Sequence, residues 1–243
     1  MKTVSIGDVS LRLGSTKIIV PITATTMDHA LAQARRISES GADLAEWRID
    51  RLITRPEIGE ATRTIRHALG KKPLLATFRS AAEGGSAISE EDYLELVSKS
   101  ARSGADALDV EYRLGCHLAA IESVHQAGLP VVASYHDCQA TPDTETMIDL
   151  LSQLAQVADI AKLAVTPHCP SDAARLLTAS AEASRQIAKP IIAIAMGTFG
   201  VATRVVGGQF GVRATFAALD EASAPGQLPL TDAIRVRSIL ARQ

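Results

Sequence analysis

The sequence contains few cysteines and none of the common metal or phosphate motifs. Its three cysteines, Cys116, Cys138 and Cys169, form no CxxC pair and are too few for a disulfide framework, so we expect a reducing cytoplasm. HExxH, GxxxxGK(S/T) and zinc-type Cys/His spacings are absent, and the GGQFG run does not fit GxGxxG. We therefore expect neither a metal nor a cofactor, and the chemistry has to come from side chains.

Long apolar runs and an excess of one charge are also missing. No stretch approaches the roughly 18 to 20 apolar residues of a bilayer span, and the first 15 residues are interrupted by glycine and charged residues. We expect no signal peptide, anchor or membrane partner. The formal net charge is −2 and the basic residues are scattered, which argues against nucleic acid as a partner.

What the chain does contain is a repeated strand–helix pattern. Apolar residues make up 47% of the sequence, enough for a buried core, and 243 residues match the roughly 250 of one (β/α)8 barrel. We predict one catalytic domain over residues 1–243. Eight β-branched, apolar segments indicate strands; they are 17–23, 43–50, 73–79, 105–113, 130–137, 160–167, 190–197 and 214–220.

The segments between these strands show helical spacing of apolar residues. The last two predicted helices begin near Ser171–Asp172 and at Thr231, which are typical capping residues. Residues 1–15 fit a β-hairpin that covers one mouth of the barrel. A doubly wound open sheet would show the same alternation, so we use the positions of the polar residues to decide. They lie at the carboxyl ends of the predicted strands, where barrel enzymes carry their active sites.

Four charged residues lie on the second and third strands or in the loop that follows the third. Glu46 and Arg48 are two apart on one strand and point to one face, which suggests a pocket, although an internal ion pair or outward charges fit as well. Arg79 ends the next strand, and Glu83 follows in a Gly-Gly loop. A loop glutamate is often only a solvated surface charge.

Two further residues carry the chemistry that we expect. His136 ends the fifth strand, where it could transfer protons, or simply cap or pack. Lys162 lies inside the apolar strand DIAKLAVTP, where an unpaired ammonium would lose its proton and become a nucleophile toward carbonyl compounds. The alternatives are that Lys162 reaches solvent or pairs with Glu46 or another carboxylate.

The last two loops carry donors that suit an anionic substrate. Arg204 lies in the long loop after Met196, and Ser223 and Gln227 lie in the Pro- and Gly-containing loop after the eighth strand. A guanidinium binds a carboxylate bidentately, and hydroxyl and amide groups can support it. Ser223 and Gln227 also fit a plain solvated loop.

Together these motifs resemble type I 3-dehydroquinate dehydratase over nearly the whole chain. The resemblance is carried by EWRID, TFR with EGG, SYHD, AKLAV, AMGxxGxxxR and ASAPGQ, in that order along the chain. The opening GDVSLRLGSTKIIVPITATT is similar as well. The resemblance implies a cofactor-free conversion of 3-dehydroquinate to 3-dehydroshikimate in the shikimate pathway.

The resemblance also implies a role for each candidate residue. Lys162 would form a Schiff base with the C3 ketone, and His136, oriented by Glu83, would remove the C2 proton and protonate the leaving hydroxyl. The substrate-binding group would comprise residues for its carboxylate (Arg204, Ser223, Gln227), its hydroxyls (Glu46, Arg48, Arg79) and its ring (Met196, Phe216). Arg48 would also help keep Lys162 neutral.

Two other functions fit the residues without the resemblance. A class I aldolase also uses a lysine on the sixth strand, and a non-catalytic barrel that binds sugar acids or phosphates would use Lys162 as a charged ligand. From the family we also expect a homodimer, in which a helix such as 231–243 could face the partner.

Overall fold

Eight parallel strands form a barrel that follows the predicted pattern. A computed structural model of the protein describes residues 3–14, 16–54, 56–219 and 224–241. The barrel strands are β3 (Lys17–Ile22), β4 (Leu44–Arg48), β5 (Leu74–Thr77), β6 (Ala107–Glu111), β7 (Val131–Asp137), β8 (Ile160–Val165), β9 (Ile191–Ala195) and β10 (Ala214–Ala218). Each lies within its predicted segment, so the strand predictions are confirmed.

Strand order closes the sheet into a barrel. Neighbours in sequence pair in parallel from β3 to β9, and β10 pairs with β3. The last gap is bridged at Ile191 and Val212, where the Arg213 amide donates to the Ile191 carbonyl at 2.9 Å. The prediction of a (β/α)8 barrel is therefore confirmed, and the open doubly wound sheet is excluded.

One helix follows each barrel strand. The helices are α1 (Met27–Ser38), α2 (Ile58–Ala68), α3 (Glu90–Ala101), α4 (His117–Gln126), α5 (Thr144–Val157), α6 (Pro170–Gln186), α7 (Val201–Val206) and α8 (Leu230–Leu240). In the described part of the chain, no helix combines the length and apolarity that a bilayer span requires.

Two predicted helix starts are wrong by one or two residues. Helix α6 begins at Pro170, whose fixed φ suits the first helical position, and the Asp172 carboxylate accepts from the His168 amide at 2.8 Å. Helix α8 begins after Pro229 and not after Thr231. In both cases a proline sets the start of the helix.

A β-hairpin closes the amino-terminal mouth of the barrel, as predicted. Its strands β1 (Val4–Ile6) and β2 (Val9–Leu11) pair antiparallel. Ile6 and Leu11 are almost fully buried against the first inward side chains of the barrel strands, such as Ile19. Each buried aliphatic side chain of this kind contributes about 1.5–3 kcal/mol. One end of the barrel is thus sealed by apolar contacts.

The inward side chains become polar toward the carboxyl ends of the strands. Since side chains alternate along a strand, every second residue points into the barrel. On each strand from β4 to β8, the inward residue nearest the amino end is apolar. The next two inward residues, on the strand or just after it, are Glu46 and Arg48 for β4, Thr77 and Arg79 for β5, Asp109 and Glu111 for β6, Ser134 and His136 for β7, and Lys162 and Ala164 for β8. The open mouth of the barrel is therefore a charged pocket.

Candidate active site

A cavity of about 220 Å³ opens at the carboxyl ends of the strands. Of the eleven predicted site residues, ten line it: Glu46, Arg48, Arg79, Glu83, His136, Lys162, Met196, Arg204, Phe216 and Gln227. Ser223 lies outside the described residues. The sequence prediction thus identified most of the pocket wall.

Lys162 is buried in the pocket but has carboxylate partners. Its Nζ donates to Asp109 Oδ2 at 2.8 Å and lies 3.6 Å from Glu46 Oε1. The Phe216 ring centroid is 4.9 Å from the same nitrogen, within reach of a cation–π contact. The expectation of an unpaired amine in apolar surroundings is therefore wrong for the free protein, and the alternative of a paired lysine describes it.

His136 and Glu83 are in hydrogen-bonding contact in the pocket. His136 Nδ1 lies 2.7 Å from Glu83 Oε2. Burial raises the pKa of the Glu83 carboxyl to about 8, although the Arg79 guanidinium opposes the shift. Burial, together with the positive charges of Arg79 and Lys162, lowers the pKa of His136 well below its ordinary value. Near neutral pH the extra proton of the pair therefore resides on Glu83, and the imidazole is neutral.

Arg79 joins the lysine and the histidine sides of the pocket. Its NH1 donates to Ser134 Oγ at 2.9 Å, to Glu111 Oε1 at 3.0 Å and to Glu83 Oε2 at 3.3 Å. Its NH2 donates to Asp109 Oδ1 at 2.8 Å. Both terminal nitrogens of the guanidinium have protein acceptors, so Arg79 holds the carboxylates in place. Its predicted contact with substrate hydroxyls stays a prediction.

Glu46 and Arg48 share the pocket, but each has other partners. The Glu46 carboxylate accepts from Thr77 Oγ1 at 3.1 Å. The Arg48 guanidinium binds the Asp50 carboxylate bidentately, at 2.8 and 2.7 Å. Asp50 also accepts from the Arg79 amide at 3.1 Å. The charge of Arg48 is thus balanced by Asp50, and its predicted repulsion of Lys162 is weakened by that pairing.

Arg204 is a buried cation of the pocket and has no acidic partner among the described residues. It lies on α7, so the predicted long loop contains a helix here. Its side chain is buried, its Nε has no hydrogen-bond partner in the described structure, and burial lowers its pKa to about 10. A buried guanidinium of this kind is ready to bind an anion.

The loop carrying Gln227 packs beside the end of β9. The Gly197 amide donates to the Pro225 carbonyl at 3.0 Å, and the Gln227 amide donates to the Ala224 carbonyl at 3.3 Å. These bonds place Gln227 in the same wall as Met196 and Arg204.

The sequence analysis missed four polar residues beneath the pocket, Asp50, Asp109, Glu111 and Ser134. Asp109 and Glu111 are two apart on one predicted strand, the same signal that singled out Glu46 and Arg48. Within the described residues, these carboxylates do not form a group of three or more side chains arranged to hold a metal ion.

Comparison with known proteins identifies a family for the chain. The family model of type I 3-dehydroquinase matches residues 18–243. Proteins named 3-dehydroquinate dehydratase from Salmonella agona and Klebsiella pneumoniae are 38% and 37% identical to the chain, covering 99% and 98% of both sequences.

Solved structures show the same relationship. The 3-dehydroquinate dehydratase of Geobacillus kaustophilus has a TM-score of 0.94 at 32% identity, covering 99% of this chain and 97% of its own. The type I enzyme of Clostridium difficile, crystallised with covalently modified comenic acid, has a TM-score of 0.93 at 31% identity, covering 99% of this chain and 98% of its own. Because the family model matches residues 18–243 and the relatives match nearly the whole chain, the chain belongs to the type I 3-dehydroquinase family.

Proposed function

We propose that the protein dehydrates 3-dehydroquinate to 3-dehydroshikimate in the shikimate pathway, through a Schiff base on Lys162 and without a cofactor. One observation carries the proposal: the buried Lys162 shares a 220 Å³ pocket with the His136–Glu83 pair and with Arg204, whose Nε has no hydrogen-bond partner among the described residues. In a member of this family, these groups supply a nucleophile, a base and an anion site.

The first step forms the imine. Lys162 gives one proton to His136, and Nζ then attacks the C3 carbonyl carbon to give a carbinolamine. The carbinolamine hydroxyl takes that proton back and leaves as water. The product is a protonated imine that carries one N–H. The covalently modified comenic acid in the Clostridium difficile relative supports covalent chemistry in this family.

The second step eliminates water from the substrate. The protonated imine withdraws electrons and makes the C2 proton acidic, and His136 removes it to leave an enamine. The enamine then expels the C1 hydroxyl, which takes the proton from His136. Glu83, 2.7 Å from Nδ1, orients the ring and stabilises the imidazolium that forms, as a carboxylate does for other catalytic histidines. Water finally hydrolyses the imine and frees Lys162.

Different parts of the pocket wall would bind different groups of the substrate. Arg204, with Ser223 and Gln227, would bind the carboxylate, since a guanidinium and neutral donors match its two oxygens. The ring hydroxyls would lie toward Glu46, Arg48 and Arg79, and the ring itself against Met196 and Phe216.

Product analysis tests the activity and separates it from aldol cleavage. We expect purified protein to convert 3-dehydroquinate into one conjugated enone that weighs one water less than the substrate. Lys162→Met should lower the rate at least about a thousandfold, because it removes the nucleophile but keeps a buried side chain. Two carbonyl fragments would indicate an aldolase, and an unchanged substrate would indicate a binding protein.

We also propose a homodimer in the cytoplasm. The dimer is supported by Ile239, a large apolar side chain left exposed on α8, the helix that we expected to face the partner. The location is supported by the three free cysteines. Light scattering after gel filtration should give twice the 25.6 kDa mass of one chain, and a mass of 25.6 kDa would contradict the dimer.

A further inference from the structure

Asp109 is a buried carboxylate held in one position by three donors. Its side chain is inaccessible to solvent. Oδ2 accepts from Lys162 Nζ at 2.8 Å, while Oδ1 accepts from Arg79 NH2 at 2.8 Å and from Ser134 Oγ at 2.6 Å. One oxygen therefore faces the reacting nitrogen, and the other is fixed to the wall of the barrel.

The Asp109 carboxyl group also stays ionised. Burial alone would raise the pKa of this carboxyl, but the Arg79 guanidinium and the Lys162 ammonium lower it far below its ordinary range. Asp109 is thus a poor proton acceptor and a permanent anion. Its role toward Lys162 is to stabilise positive charge on Nζ.

Positive charge on Nζ is what the proposed reaction needs. The protonated imine keeps one N–H and a full charge in a buried site, where an uncompensated cation is costly. Removal of the C2 proton sends an electron pair to the nitrogen and gives a neutral enamine. Loss of the C1 hydroxyl then regenerates a cationic, conjugated imine. The charge on nitrogen therefore appears, disappears and returns within one turnover.

We propose that Asp109 is the counter-ion of the protonated imine, accepting its single N–H and balancing its charge before and after the elimination. This inference rests on the proposed function. It makes Asp109 a catalytic residue, because its carboxylate contacts the reacting nitrogen.

The other carboxylates of the pocket are placed for different tasks. Glu46 Oε1 is 3.6 Å from Nζ, beyond hydrogen-bonding distance, and accepts instead from Thr77. Glu111 accepts from Arg79 at 3.0 Å and from the Ser80 amide at 2.7 Å. Glu111 has the same burial and the same arginine partner as Asp109 but no bond to Lys162, so it provides a matched control.

Trapping with cyanoborohydride tests the counter-ion directly, because this reagent reduces protonated imines and spares neutral ones. The protein is mixed with 3-dehydroquinate and the reagent between pH 6 and pH 10, and the reduced adduct on Lys162 is measured by intact mass. We expect wild type to form the adduct over the whole range. Asp109→Asn should form it at pH 6 but at least about tenfold more slowly than wild type at pH 9, since its imine loses the proton more readily.

Glu111→Gln should follow the wild-type pH profile, although it also removes one charge from the Arg79 cluster. A profile of Asp109→Asn that matches wild type, or the same alkaline loss in Glu111→Gln or Glu46→Gln, would overturn the counter-ion assignment. If wild type itself forms no adduct, the proposed Schiff-base function fails instead, so the two failures are distinguishable.

A second variant keeps the test decisive if Asp109→Asn does not fold. Asp109→Ser replaces the carboxylate that accepts from Lys162 by a smaller neutral group and so also removes the charge. We expect the same alkaline loss of adduct, with the fold checked by circular dichroism. An Asp109→Ser profile identical to wild type would reject the assignment.

Discussion

At the scale of single residues, protons on the His136–Glu83 pair decide when the site can act as a base. Burial raises the pKa of Glu83 to about 8 and lowers that of His136, so below about pH 8 the pair holds one extra proton. That proton blocks the imidazole lone pair, and its loss as pH rises produces the base. Such a coupled pair titrates as a unit.

The pH dependence of kcat/KM should therefore rise through a midpoint near 8, above the ordinary range of a carboxyl group. Glu83→Gln should abolish this limb and lower kcat by about 10²–10⁴-fold, since the imidazole loses its charged partner. A rate profile measured from pH 5.5 to 9.5 checks both. A limb that survives in Glu83→Gln would assign the titration to another group.

Arg204 should show its role through KM and through stability. Arg204→Ala removes a charge-assisted bond of about 1.5–3 kcal/mol, which corresponds to a rise in KM of about 10- to 150-fold. Because the free protein buries this charge without an acidic partner among the described residues, the same change should not lower the melting temperature. Steady-state kinetics with Arg204→Lys as the partial control measure the effect, and an unchanged KM would refute the carboxylate assignment.

The sequence predicted individual site residues but not the contacts between them. The apolar run around Lys162 identified the lysine, but its partner Asp109 lies two strands away, on β6, and only the barrel geometry brings the two together. The inward alternation of Asp109 and Glu111 was readable in the sequence. Their contacts with Arg79 were not, because a hydrogen bond between distant strands depends on side-chain conformation and strand stagger.

At the scale of elements, the loop after β5 positions two of the site residues. It bends at Gly84, which has a φ of +87°, and at Gly85, which lies against the backbone of Arg79. A Cβ at Gly85 would overlap the Arg79 carbonyl group, whereas a Cβ at Gly84 would meet only Cys138 Sγ at 3.6 Å. The two glycines therefore serve different purposes.

Gly85→Ala should displace Arg79 and Glu83 together and reduce kcat/KM at least about a hundredfold, as small misplacements of catalytic groups do. Gly84→Ala should cost only about 1–2 kcal/mol of backbone strain, with a milder loss of activity. Kinetics and melting curves of the two variants provide the comparison. Equal effects of the two substitutions would contradict this account of the loop.

The locations of the strands were predicted more accurately than the residues at which the helices begin. All eight strands lie within the predicted segments, because apolar β-branched runs buried on both faces have few alternative structures. The start of α8 was predicted at Thr231 but follows Pro229, and α7 was taken for part of a loop. Short helices and proline-initiated starts carry weaker periodic signals than long buried strands.

At the scale of the whole molecule, stability and activity reside at opposite ends of the barrel. The hairpin seals the amino-terminal mouth with Ile6, which is fully buried, while the charged pocket opens at the other mouth. Changes in the hairpin should therefore affect folding more than chemistry.

Ile6→Ala should lower the free energy of unfolding by about 2–5 kcal/mol through the cavity it leaves, with a fall in melting temperature of roughly 5–15 °C. Below the transition, kcat and KM should stay near wild type. Leu13→Ala is the control, since this side chain is 62% exposed and should change stability by about 0.5 kcal/mol or less. Loss of activity in a folded Ile6→Ala protein would show that the two ends are coupled.

The central claim is that Lys162 forms a covalent imine with the substrate. Borohydride reduction of the protein during turnover of 3-dehydroquinate, followed by intact mass and peptide mapping, tests it most directly. We predict one adduct for each chain, located on the peptide that contains Lys162 and absent from Lys162→Met. No adduct under turnover conditions, or an adduct on a different lysine, would contradict the mechanism.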